Sequence, residues 1–182
     1  MKYTKRAMVL LVLPLLVAPL VARGDDDRPR RGDDDRPKHE FSARLKGVNE
    51  TPLTVSTASG SLQLTINDAD NLVHFVLTYS GIQTTVLFAH IHVGQPNVAG
   101  GVTVFFCGGG GRDACPQEGT VEGDFSDSDV LALATQQLAA GDLATLLKAI
   151  RAGQTYANVH SMTSPGGEVR GQILSADERN ER

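Results

Sequence analysis

Apolar and polar residues alternate over short runs, each closed by a turn signal, and this leaves the chain few folds other than an antiparallel β-structure. Phe41, Ala43 and Leu45 alternate with Ser42, Arg44 and Lys46, and Leu62, Leu64 and Ile66 alternate with Gln63 and Thr65. A strand points successive side chains to opposite faces, so each run presents one face to a core and one to water. Val73, Phe75, Leu77 and Tyr79 continue the pattern, with His74 on the far side at a solvent-facing rim. Further on, Val102, Val104 and Phe106 alternate with Thr103, Phe105 and Cys107, and Thr120 to Phe125 supplies another run. The turn residues 67–71, Ser80-Gly81 and Gly94 to Gly101 separate these strands. Many short strands with such punctuation predict a mainly β, antiparallel sandwich or barrel.

From Ser126 the period changes. Ser126 or Ser128 can cap a helix carrying Val130, Leu131, Leu133, Ala134 and Leu138, with Gly141 as its stop. Asp142 then caps a second helix. Leu143, Leu146, Leu147 and Ile150 recur at helical spacing and Gly153 ends it, so a two-helix insertion is predicted within the β-fold. After Tyr156 the chain returns to strand, and Ser164-Pro165-Gly166-Gly167 turns it back into 168–174 as a terminal hairpin.

Two stretches of this framework carry polar residues of chemical interest. In the run from Val86 to Val93, alternation sets Leu87, Ala89, Ile91 and Val93 against Phe88, His90 and His92, so both imidazoles share a face. They are separated by roughly 6.5–7 Å at Cα, a span two imidazoles can close over one ion. Tyr156, Asn158 and His160 alternate with Ala157 and Val159 and offer a third imidazole. His90, His92 and His160 are therefore candidate ligands for copper or zinc, the metals suited to imidazole in an exported protein. Asn158, Glu168, Arg170 and Gln172 are expected together on the polar face of the terminal hairpin, either orienting the rings from behind or completing a structural hydrogen-bond network. On the structural reading the histidines bond across the barrel, and the loops 94–101 and 107–115 carry any contact with an extracytoplasmic protein partner.

The N-terminal segment is read as a leader. Lys2, Lys5 and Arg6 precede an apolar run from Ala7 to Leu20, and Leu20-Val21-Ala22 offers a cleavage site, so 1–22 reads as a secretory signal peptide. The run falls short of the roughly 20 apolar residues a membrane helix needs, and no cysteine follows it to take a lipid. No stable membrane span is expected after cleavage, and the location is secreted or periplasmic. Residues 23–39 contain an octad written twice, from Arg23 to Arg30 and from Arg31 to Lys38. Proline is its only apolar residue, so it is expected to stay a disordered, solvated spacer despite two Arg-Gly-Asp triplets and two runs of three aspartates. Residues 175–182 are expected to form a flexible tail, which leaves 40–174 as one folded domain.

Cys107 and Cys115 flank a glycine-rich loop, and in an exported chain a disulfide between them is the first expectation. The net charge of −4 comes without a basic stripe or interleaved aromatic and basic residues, which argues against nucleic acid. No P-loop, dinucleotide fingerprint or nucleophile elbow occurs. A hydrolase built on Asp124, Asp127, Asp129 and Glu168 is disfavoured, since helix capping already accounts for the aspartates.

Ala89-His90-Ile91-His92, the run from Gly153 through Tyr156-Ala157-Asn158-Val159-His160-Ser161, and Pro165-Gly166-Gly167-Glu168-Val169-Arg170-Gly171-Gln172-Ile173 together resemble the signature of the CHRD domain, named for its occurrence in chordin. The chain departs from that pattern in placing Val93 before Gly94, and in Cys107 and Cys115. The resemblance implies an immunoglobulin-like β-barrel akin to copper/zinc superoxide dismutase, found in extracellular and exported proteins, with no general activity attached to it. A non-enzymatic binding or structural module is thus the first expectation and a three-histidine metal protein the alternative, because likeness of fold alone transfers no reaction.

Overall fold

The computed structural model describes residues 39–67 and 69–180; the expected signal peptide and all but the last residue of the charged repeat segment lie outside them. Two units separate along the chain, Met1–Arg36 and Pro37–Arg182, and the described fold belongs to the second.

Among the described residues nine strands and two α-helices follow one another: β1 Glu40–Lys46, β2 Ser59–Ile66, β3 Val73–Ser80, β4 Val86–Val93, β5 Gly101–Cys107, β6 Gly119–Phe125, α1 Leu143–Arg151, β7 Thr155–Ser161, β8 Val169–Gln172, β9 Leu174–Ser175 and α2 Ala176–Asn180. They form a single sheet in the order β5-β4-β7-β8-β1-β2-β3-β6, with β9 beside β1 and every pairing antiparallel. The edge strands β5 and β6 come into contact, so the sheet curls into a nearly closed barrel. Closure of this kind protects strand edges that would otherwise pair with other chains.

The predicted apolar faces fill the barrel. Phe41, Ala43 and Leu45 from β1, Leu62, Leu64 and Ile66 from β2, and Val73, Phe75, Leu77 and Tyr79 from β3 all lie in one core. Ala89 and Ile91 from β4 and Ala157 and Val159 from β7 complete the opposite wall. In β4 the alternation slips at its start. Val86, and not Leu87, joins the core, because the β4–β7 register shifts between Val86 and Phe88.

The helical insertion differs from the expected pair. Asp142 accepts a hydrogen bond from the Thr145 amide at 2.9 Å and caps α1, whose Leu143, Leu146, Leu147 and Ile150 are buried as predicted. Among the described residues no α-helix precedes it. Ser126 and Asp129 do form a capping box, but it opens only the single 3-10 turn Asp127–Asp129, and a second such turn spans Ala134–Gln136. Tertiary pairing takes the backbone that the helix needed: the Leu131 amide donates to Thr103 of β5, and Leu133 pairs with Leu138. The segment read as a loose tail also carries structure, since Ser175 pairs with Phe41 and 176–180 form α2.

Cys107, at the end of β5, is bonded to Cys115 across the loop that leads to β6. Among the described residues no helix is long and apolar enough to cross a membrane.

Candidate metal centre

The β4–β7 pairing brings the two histidine stretches together. Phe88 stands opposite His160, His90 opposite Asn158, and His92 opposite Tyr156. Ala89, Ile91, Ala157 and Val159 alternate with these residues and point into the core, so the imidazoles occupy the other face of the sheet. They are nevertheless buried, with His90 4 %, His92 7 % and His160 5 % exposed. The His90 ring centre lies 4.6 Å from that of His92 and 4.4 Å from that of His160. One ligand nitrogen from each of the three lies within 4.8 Å of the other two.

Hydrogen bonds hold two of the rings in a defined tautomer. His92 Nδ1 is 2.9 Å from the Gly100 carbonyl and His160 Nδ1 is 2.9 Å from the Pro165 carbonyl, so each Nδ1–H donates outward and each Nε2 carries a lone pair. His160 Nε2 and His90 Nδ1 are buried without any hydrogen-bond partner. His92 Nε2 lies 3.0 Å from Asn158 Oδ1, and with the ring proton on Nδ1 this contact becomes a hydrogen bond when the amide is turned to present its NH₂. Burial is the main cause that holds all three imidazoles neutral, lowering His90 to about 2 and His92 to about 4, with His160 also lowered. Neutral rings, two of them anchored on backbone carbonyls and all three offering a nitrogen within 4.8 Å of the others, are the state in which histidine binds a metal.

Around the rings stands a mixed wall. Phe105 meets His90 edge-on at 5.0 Å, and Tyr156 stacks on His92 with ring centres 4.5 Å apart. The Arg170 guanidinium carbon lies 3.3 Å from the Tyr156 ring centre, so arginine, tyrosine and histidine form one stack. Tyr156 also accepts a hydrogen bond from the Gly100 amide through its hydroxyl, which fixes the carbonyl that holds His92.

The expected polar set is brought together only in part. Asn158 reaches His92, Arg170 acts through Tyr156, and Gln172 donates to the carbonyls of Gly94 and Gly153, tying down the loop after β4. Glu168 is elsewhere. Its carboxylate accepts from Ser161 Oγ, from Ser56 Oγ at 2.7 Å and from the Gln83 amide at 3.2 Å, on the side of β7 where Ser161 shares the face of the core residues Ala157 and Val159, away from the imidazoles. β8 begins only at Val169, after Gly167 at φ +125°, so strand alternation does not extend back to Glu168.

Sequence reasoning missed Glu50. It is 7 % exposed, and burial raises its carboxyl to about 7 against the opposing pull of Arg170, the Thr51 amide and the Asn158 side chain. Its Oε1 has no hydrogen-bond partner, and a Cβ at Gly167 would collide with the carboxyl group. No local pattern marks this residue, because its surroundings come from the hairpin more than a hundred positions away.

Among curated proteins and solved structures, none matches the chain at a significant level. A family-level match does exist, and it spans the strands that carry the histidines as well as most of the barrel. The family model for the CHRD domain matches residues 41–173, and the chain accordingly belongs to the CHRD domain family.

Proposed function

We propose that this protein is an exported, non-enzymatic binding module whose β4–β7 face holds one copper or zinc ion on His90, His92 and His160. The convergence of three buried imidazoles, with one ligand nitrogen each within 4.8 Å, carries the reading. Two ring nitrogens of the cluster, His160 Nε2 and His90 Nδ1, are buried without a hydrogen-bond partner, a costly arrangement for polar atoms that a bound metal would relieve. A tetrahedral shell with bonds of about 2.0–2.1 Å sets its nitrogens roughly 3.3 Å apart, so the rings close inward by at most about 1.5 Å. Export is supported by the leader-like N-terminus and by the Cys107–Cys115 disulfide, a bond suited to an oxidising compartment.

One observation favours a purely structural cluster: both His92 nitrogens already lie within hydrogen-bond distance of protein groups. Titration separates the two readings. Metal-stripped protein purified without a histidine tag is expected to take up one equivalent of Zn²⁺ or Cu²⁺ by calorimetry. His160→Gln, whose amide can still donate to the Pro165 carbonyl, is expected to lose that uptake while keeping its near-ultraviolet dichroism. Absence of binding by folded wild-type protein would leave the structural cluster as the reading.

A further inference from the structure

We infer that the outer face of β1, β8 and β9 carries a second binding site, a groove for a multiply charged organic oxyanion bearing carboxylate or phosphate groups. The groove has a volume of about 540 Å³, within the range of small-molecule sites. Arg44, Arg170 and Arg179 line it, together with Asn49, Asn97 and Gln172, and no aspartate or glutamate stands among its described lining residues. Three arginines thus line one concavity in a chain whose net charge is −4. Like charges gathered this way repel one another unless an anion lies between them.

Strand register builds the groove. Lys46 pairs with Arg170 and Ser42 with Leu174, and the same antiparallel count sets Arg44 opposite Gln172. Gly171 permits the close approach, since a Cβ there would stand 2.5 Å from the Arg44 carbonyl oxygen. Arg170 is buried at the floor, donates to the Gln95 carbonyl at 2.9 Å, and has Glu50 offsetting part of its charge. Arg179 donates to Ser42 Oγ and to the Leu174 carbonyl, which leaves its charge without an acidic partner among the described residues. The Arg44 guanidinium is exposed and has neither an ion pair nor a hydrogen bond among the described residues.

Guanidinium forks match carboxylate and phosphate oxygens two at a time, which makes several arginines around one groove suited to a polyanion rather than a single halide. The amides add a second selection. Asn49 donates to the Arg170 carbonyl at 3.0 Å, and Gln172 donates to Gly94 and Gly153, so their side-chain oxygens remain as acceptors for a ligand hydroxyl. This groove is distinct from the three imidazoles and borders them at Arg170, through its stack on Tyr156 and its strand partner Asn158.

Calorimetry of the metal-free full chain with citrate and with pyrophosphate, at low ionic strength, tests the site and separates a carboxylate source from a phosphate source. Saturable one-to-one binding of either probe is expected, weakened roughly tenfold or more by Arg44→Gln and by Arg179→Gln, the loss of one charged pair in each case. Arg112→Gln, which changes a guanidinium bonded to Asp129 outside the groove, should leave the affinity as it is. Arg44→Gln should also leave zinc uptake unchanged, so failure of either site is read separately from the other. Absence of saturable binding by folded protein, or equal affinity in Arg44→Gln, would overturn the assignment.

Discussion

At the scale of single residues, the polar layer over β4 and β7 is governed by what burial does to charge. Glu50 and the three histidines respond in opposite senses to the same desolvation, since burial disfavours whichever form is charged. Each therefore stays neutral further into the pH range than it would in water. For Glu50 the folded carboxyl titrates at about 7 instead of 4.5. A raised folded pKa stabilises the fold fully below the unfolded value of 4.5, and this contribution disappears as pH rises through 7. The shift corresponds to about 3 kcal/mol at most. Glu50→Gln, which mimics the neutral carboxyl, is expected to match the wild type in urea midpoint near pH 4 and to exceed it at pH 8. Parallel pH profiles for the two proteins would mean that Glu50 is ionised throughout without cost. For the histidines the sign reverses: depressed pKa values withdraw stability as pH falls below the usual histidine range, toward about 4 for His92. The reading of residues by strand parity worked for His90, His92, Asn158 and His160. It failed for Glu168, which lies one position outside β8, and could not reach Glu50 at all.

At the scale of elements, α1 and the failed helix before it make a controlled comparison. Both segments offered an N-terminal cap and apolar residues, and only one folded as a helix. In α1 the apolar residues fall on one stripe and all four are buried, with Asp142 holding the first turn. Its last turn is clamped by Arg151, whose guanidinium donates to both carboxylate oxygens of Asp70 at 2.6 and 3.0 Å. In 126–141 the apolar residues are spaced irregularly, and only Val130 and Leu138 are buried. Backbone pairing with β5 then outweighed local propensity. Two substitutions separate capping from packing in α1. Asp142→Ala is expected to cost about 1 kcal/mol in urea unfolding. Leu146→Ala removes a fully buried side chain and is expected to cost about 2–5 kcal/mol. Equal, small losses would indicate that α1 lies loosely on the barrel.

At the scale of the whole molecule, one disulfide staples the turn between the two strands that close the barrel. Seven residues lie between Cys107 and Cys115, and a loop of that size contributes about 2–3 kcal/mol through the unfolded state. The double variant Cys107→Ala/Cys115→Ala is expected to lose about that much in its urea midpoint and to keep its β-sheet dichroism. An unchanged midpoint would show that the Gly108–Asp113 and Arg112–Gly109 backbone bonds hold the loop unaided. The sequence by itself determined the strands, the β class, α1 and the face shared by His90 and His92, because strand and helix periods are local properties of neighbouring residues. Tertiary structure alone decided that His160 completes the cluster, that Glu168 turns away from it, that Glu50 comes beside Arg170 and Asn158, and that three arginines from β1, β8 and α2 line one groove. Those outcomes depend on register between strands far apart in the chain, and register is set by global packing of the core rather than by any pattern a short window contains.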